Sequence, residues 1–161
     1  MKPLFLAASL ALIAGQANAL SCMRPDPIST FNRVAAAPEN YYVLYGTLRF
    51  DADALPPSFV DQPGADPEPI DAFFRGKGLT RNGFTSDYIS PALLQVDCVA
   101  NYCGSAQSDI EALYFVRADN DPVVMTADPC GAMIFPEPTQ AVLDQLTACM
   151  QGNGCSAEAL Q

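Results

Sequence analysis

Residues 41–50 read YYVLYGTLRF, and this stretch decides the fold class. It is rich in β-branched and aromatic residues. Tyr42, Leu44, Gly46, Leu48 and Phe50 stand at alternate positions, which places them on one face of a strand. Gly46 in its middle predicts a bulge or a sharp bend, as barrels use at corners. Tyr41, Tyr42, Tyr45 and Phe50, with Phe73 and Phe74 downstream, could be read as a binding stripe. Core packing is the expectation, because alternating aromatics suit a half-buried pleated surface.

Downstream, Asp51 to Asp71 holds five prolines (56, 57, 63, 67 and 69) and six acidic residues. Prolines at that density exclude a helix or a central strand. A loop of this length is functional or mobile. Asp51, Asp53, Asp61 and Asp66 lack the spacing of an EF-hand, so a solvated acidic loop is expected rather than a calcium site. Phe73–Thr80 then reads as a second strand, and Arg81-Asn82-Gly83 as a turn. Ile89–Cys98, Glu111–Arg117 and Val123–Ala127 read as the third, fourth and fifth strands. The tight turn at Asp119-Asn120-Asp121-Pro122 predicts that the last two form a hairpin.

The chain closes on a helix with Thr139 as its N-cap. Val142, Leu143, Leu146, Cys149 and Met150 make its apolar face, and Gly152 stops it. Upstream of the first strand, Ile28–Ala36 has room for one or two helical turns before Pro38. Arg24-Pro25-Asp26-Pro27 is extended or turning, because each proline drives its predecessor out of the helical region. There is no internal repeat.

The first nineteen residues have the layout of a secretory signal: Lys2, an apolar run from Leu4 to Gly15, and Ala17-Asn18-Ala19 as the cleavage site. The run is too short to span a bilayer, which needs about 20 residues, and no later segment is longer and apolar. Lipidation at Cys22 is the weaker alternative, since Ala19 stands where a lipid-attachment box prefers leucine. Removal of the signal leaves residues 20–161, one domain able to bury its own core. A periplasmic or secreted destination is expected.

The formal charge is −10, and −11 without Lys2. Such a surface repels phosphate backbones and anionic lipid, so no nucleic-acid partner is expected. Histidine is absent, which excludes a Ser-His-Asp triad, a Cys-His pair and His-ligated zinc.

Six cysteines allow fifteen pairings, and spacing alone does not choose among them. Closeness along the chain suggests Cys98 with Cys103 across a short turn. It also suggests Cys149 with Cys155 at the helix end, where Gly152 and Gly154 let the chain fold back. Cys22 and Cys130 would remain, a long closure stabilising by roughly 4 kcal/mol in the chain-entropy model. A redox pair would want C-x-x-C at a helix N-terminus, and a four-cysteine zinc site would want knuckle spacing. Neither pattern is present, and an oxidising compartment favours bonds.

The order of these features resembles the netrin-like domain, the OB-fold module of tissue inhibitors of metalloproteases and of bacterial relatives. A cysteine near the mature N-terminus precedes a short helix and the glycine-containing strand YYVLYGTLRF. NYCG (Cys103-Gly104) and ADPCG (Cys130-Gly131) follow, then a proline-rich stretch and a final helix. The resemblance covers most of Cys22 to Met150. It implies a mainly β, five-stranded OB-like barrel with a C-terminal helix, and a Cys22–Cys130 bond. The inhibitors begin Cys-x-Cys and grip zinc with the free amine of the first cysteine. Here Ser21-Cys22-Met23-Arg24 supplies one cysteine, and Leu20-Ser21 precedes it, which argues against zinc chelation.

The expected function is therefore an exported, disulfide-bonded binding module for a protein partner or a small extracellular ligand, with the Asp51–Asp71 loop and the turn at Arg81-Asn82-Gly83 as candidate contact edges and no cofactor, metal or catalytic residue assigned. Inhibition of a metalloprotease through the N-terminal segment is the first alternative. A carboxylate-dependent hydrolase is the second, with Asp87, Asp97, Glu111 and Asp128 as the acids nearest strand ends.

Overall fold

The computed structural model describes residues 22–61 and 66–156. The signal sequence expected over residues 1–19 lies outside them. In chain order the elements are α1 (Pro27–Ala35), β1 (Tyr41–Phe50), a 3-10 turn (Ala52–Ala54), β2 (Ile70–Thr80), β3 (Gly83–Val96), β4 (Cys98–Val99), β5 (Tyr102–Cys103), β6 (Glu111–Arg117), β7 (Val123–Ala127), β8 (Ile134–Pro136) and α2 (Gln140–Gln151). Six strands form one curled sheet in the order β7-β3-β2-β1-β6-β8, and β4 pairs only with β5.

The curled sheet buries its inner face, and at β1 and β6 its outer face is buried beneath the helices. Leu44, Leu48 and Phe50 of β1 point into the barrel with Phe74, Leu94, Tyr114, Val116 and Met125. Val43 points the other way, into a second core with Leu113 and Phe115 of β6 and with Ile28, Leu143 and Leu146 of the helices. Residues 112–116 of β6 are therefore all buried, alternating between the two cores. Desolvation in the barrel pushes the Tyr114 hydroxyl up to about 12.

Local chemistry sets the helix ends. The Asp26 carboxylate accepts the Ser29 backbone N–H at 2.8 Å and caps α1. Thr139 does the same for Val142 at α2, and Gly152 leaves that helix in the left-handed conformation at φ 84°. Gly46 faces Gly76 across the β1–β2 ladder. A Cβ on Gly46 would meet the Arg75 carbonyl oxygen and would lie 2.5 Å from the Gly76 Cα, so the two strands cross here without side chains.

Several sequence expectations need correction. The fourth and fifth strands do not form a hairpin: β7 runs parallel to β3, pairing Ala92 with Val123 through Val96 with Ala127, while β6 pairs with β1 and β8. Both hydrogen-bonding edges of β6 are taken, by β1 and β8, so β7 pairs instead at the far edge of the sheet. The count of five strands misses β8 and the β4–β5 pair. The second strand begins at Ile70 rather than Phe73, and the third at Gly83 rather than Ile89. Pro91 is tolerated inside β3 because the β7 ladder starts only at Ala92. The third strand also stops at Val96, before Cys98, which belongs to β4.

Of the aromatics, Phe50 and Phe74 are core, Tyr41 and Tyr45 are half-buried, and Tyr42 and Phe73 are exposed. Tyr42 lies on the barrel side of β1, as the alternation predicts, but its ring sits 5.7 Å from that of Tyr88 in a position open to solvent.

Three disulfides tie the chain: Cys22–Cys130, Cys98–Cys103 and Cys149–Cys155. Among the described residues no cysteine is free. No described helix is long and apolar enough to cross a membrane.

Candidate functional site

Two of the disulfides lie at one end of the barrel. The N-terminal segment reaches Cys130 through Cys22. The β4–β5 pair, closed by Cys98–Cys103, meets the proline-rich loop there. The Val60 N–H donates to the Asn101 carbonyl at 2.9 Å, and the Cys103 N–H donates to the Ser58 carbonyl at 3.0 Å. Asn101 also donates its side-chain amide to the Val60 carbonyl at 2.6 Å. These bonds hold Phe59 against Tyr102 in a single β-bridge.

The result is an apolar stripe open to solvent. Val99 and Tyr102 are cross-strand partners, so their side chains share a face. The Phe59 and Tyr102 rings meet edge to face at 5.5 Å. Phe59 is 52% exposed, Val99 49% and Tyr102 43%, and Met23, next to Cys22, is 90% exposed. Beside the stripe is a cleft of about 610 Å³, walled by Phe59, Tyr102, Gly104, Asp128 and the Cys22–Cys130 bond. Gly104 is required there, since a Cβ on it would strike the Ala127 carbonyl. Ser105 and Gly131 on its wall also line a smaller apolar pocket of about 260 Å³, floored by Tyr114, Ile134 and Phe135.

The carboxylates around this end are placed by backbone groups. Asp66 accepts the Cys98 N–H at 2.9 Å. Asp128 accepts the N–H groups of Cys130 at 3.0 Å and Ala132 at 2.8 Å. Asp97 is half-buried, and desolvation, with the negative charges of Asp66 and Asp128, raises its pKa above the usual carboxylate value.

The folded protein thus holds the Asp97 proton more tightly than the unfolded chain does. The contribution of this group to stability grows as pH falls from neutral through its folded pKa and levels off below the unfolded value near 4. Asp97→Asn is therefore predicted to raise the melting temperature at pH 7, and the advantage over the parent to vanish as the pH nears about 4. Thermal melts of both proteins across that range check it; a variant less stable at pH 7 contradicts it.

The four acids considered for hydrolysis do not gather at one point, although Asp97 and Asp128 are near enough to interact. Asp87 pairs with Lys77 at 2.7 Å. Glu111 accepts the Tyr45 hydroxyl at 2.7 Å, on the helix side of the sheet. Of the four, Asp128 alone lines the cleft, with both oxygens engaged. The loop aspartates are likewise dispersed: Asp51 accepts the Asp53 N–H at the 3-10 turn, Asp61 is exposed, and Asp66 turns to Cys98. Among the described residues no cluster of His, Cys, Asp or Glu could hold a metal ion.

A second cleft, of about 570 Å³, lies between α2 and the β2–β3 turn, with Tyr45, Phe84 and Leu143 among its walls. Much of its polar rim is engaged within the protein, as Gln140 with Asp144 and Gln151 with the Arg81 carbonyl.

The sequence marks the loop that carries Phe59 as a candidate contact edge, but it does not single out Phe59 itself, Val99 or Tyr102. Phe59 stands in a segment whose prolines and acids read as solvated, and the only signal was one aromatic between Pro57 and Asp61. Comparison with family models, with curated proteins and with solved structures found no match.

Proposed function

We propose that this protein is an exported binding module that docks a protein partner on the apolar stripe at its disulfide-tied end. The observation that carries the reading is the gathering of Phe59, Val99 and Tyr102, exposed and joined through Tyr102, with exposed Met23 next to Cys22 on the cleft wall. Contiguous exposed apolar surface marks interaction sites, and half-exposed aromatics on a rigid base are the usual anchors of such contacts. Two disulfides and the bridge at Phe59 hold the side chains in place, so little ordering entropy is lost on docking.

The finer fold assignment is part of the same proposal: a partly open OB-like barrel of netrin type, built from β1, β2, β3, β6 and β7. The parallel return of β7 to β3, the pairing of β6 with β1, the terminal helix and the Cys22–Cys130 bond support it. Strand β8 and the separate β4–β5 pair are additions to that plan.

Phe59→Ser combined with Tyr102→Ser tests the docking surface. The double variant is expected to keep the far-ultraviolet spectrum and a melting temperature near the parent's, and to lose co-purification with its partner from the exported fraction of the host. Retained co-purification would rule the stripe out.

Inhibition of a metalloprotease is the second reading, favoured by the exposure of Met23 directly after Cys22. It requires a mature N-terminus at Cys22, so intact mass with N-terminal peptide mapping decides it. A start at Leu20 leaves no free amine on Cys22 and removes zinc chelation.

A further inference from the structure

The surroundings of the stripe specify the chemistry of what it docks. Four segments build this end: 22–26, 58–68 in its described part, 97–105 and 127–132. They carry one basic residue, Arg24, against six acids: Asp26, Asp61, Asp66, Glu68, Asp97 and Asp128. Elsewhere three cations are paired with acids: Arg49 with Asp109, Lys77 with Asp87 and Arg117 with Asp119. Among the described residues none of these six acids forms an ion pair. Asp66 and Asp128 are held by backbone N–H groups, and Asp97 is pushed up partly by those two neighbours, so negative charge gathers here; besides Arg24, Arg33 reaches the edge of this region, donating to the Ala132 carbonyl at 3.4 Å. A field of this sign attracts cations and repels acidic surfaces.

The small pocket supplies a place for an anchor. Its volume of about 260 Å³ is below the roughly 300–1,000 Å³ of small-molecule sites, and its walls are mainly apolar. It suits one bulky apolar side chain rather than a free ligand. Through Ser105 and Gly131 it opens beside the cleft that Phe59 and Tyr102 border.

Resting on the docking surface proposed above, we infer that its partner presents a cationic protein segment: a bulky apolar residue flanked by lysine or arginine. The apolar residue seats at the stripe and its small pocket, and the flanking cations meet Asp61, Asp66 and the acids beside them. An acidic or purely apolar segment of the same shape is repelled or unselected.

Photo-cross-linking tests this in the protein as exported. p-Benzoylphenylalanine replaces Tyr102 in one sample and Ile89, an exposed residue of β3 outside the stripe, in a control. The cross-linked peptides are sequenced by mass spectrometry, and the yield is measured with salt and with Asp61→Asn/Asp66→Asn. Asparagine keeps an acceptor oxygen for the Cys98 N–H, so this variant removes charge with little change in structure.

The expected result is a contact peptide with at least two Lys or Arg beside a bulky apolar residue. The yield is expected to fall about tenfold as salt rises from about 50 to 500 mM, and severalfold in the asparagine variant. A neutral or acidic contact peptide, a non-protein adduct, or a yield indifferent to salt and charge removal would overturn the cationic partner. A protein contact peptide of the wrong charge would leave the docking surface standing. No cross-link at 102 above that at 89 would remove the docking surface and this inference together.

Discussion

Replacing Cys22 and Cys130 together by serine is expected to lower the free energy of unfolding by about 4 to 5 kcal/mol, the largest effect of any disulfide in the molecule. The two cysteines are 108 residues apart, against 5 for Cys98–Cys103 and 6 for Cys149–Cys155. In the chain-entropy model the restriction of the unfolded state grows with the logarithm of the closed loop, so each short bond contributes only about 2 kcal/mol. The long bond also fixes the N-terminal segment to the turn after β7, beside the docking cleft. Its loss should therefore weaken partner binding as well as stability. Denaturant titration of this variant beside Cys149→Ser/Cys155→Ser makes the comparison. Equal losses in the two would show that loop length does not set the contribution here.

Gly46→Ala is expected to destabilise by about 3 kcal/mol or more, although it adds a single methyl group. The new Cβ would meet the Arg75 carbonyl oxygen and the Gly76 Cα at 2.5 Å, and both are backbone atoms that cannot rotate away. Relief requires β1 and β2 to separate where Gly46 and Gly76 face one another, inside a ladder running from Leu44–Gly78 to Phe50–Ala72. Gly76→Ala should behave alike, since its Cβ would lie 2.8 Å from the Gly46 Cα. Gly78→Ala is the control. Its Cβ would find the Leu44 side chain at 3.7 Å and Ser86 at 3.8 Å, ordinary contact distances, so a small change is expected. If Gly78→Ala were as damaging as Gly46→Ala, general loss of strand flexibility rather than steric overlap would be the cause.

Gly46 also shows how far the sequence could be read. A glycine at the centre of an aromatic, β-branched run points to a backbone irregularity, and the chain does make an unusual approach there. The alternation cannot say which strand approaches. The facing glycine is thirty positions away, and only the register of β1 on β2 brings the pair together. The ends of β1, β6, β7 and α2 were legible because they rest on local rules: period-two burial, turn residues, a threonine cap and a glycine stop. The partner of β7 was not. The turn at residues 119–122 is compatible with a hairpin, and no local feature opposes one.

The candidate site followed the same division. Cysteine positions marked where the chain would be tied, and charge marked what it would repel. Phe59 gave no such sign, because a lone aromatic among prolines and acids looks solvated until Tyr102, more than forty residues later, is placed against it.

What the sequence determined by itself is the mainly β character of the chain, the terminal helix with its cap and stop, the acidic charge, and the lack of histidine chemistry. Each depends on residue identity or on neighbours a few positions apart. Tertiary structure alone decided the parallel place of β7 beside β3, the crossing of Gly46 and Gly76, and the meeting of Phe59, Val99 and Tyr102 at one end. These depend on which distant segments must cover one another to bury two cores, one inside the curled sheet and one beneath the helices, and no local pattern records that choice.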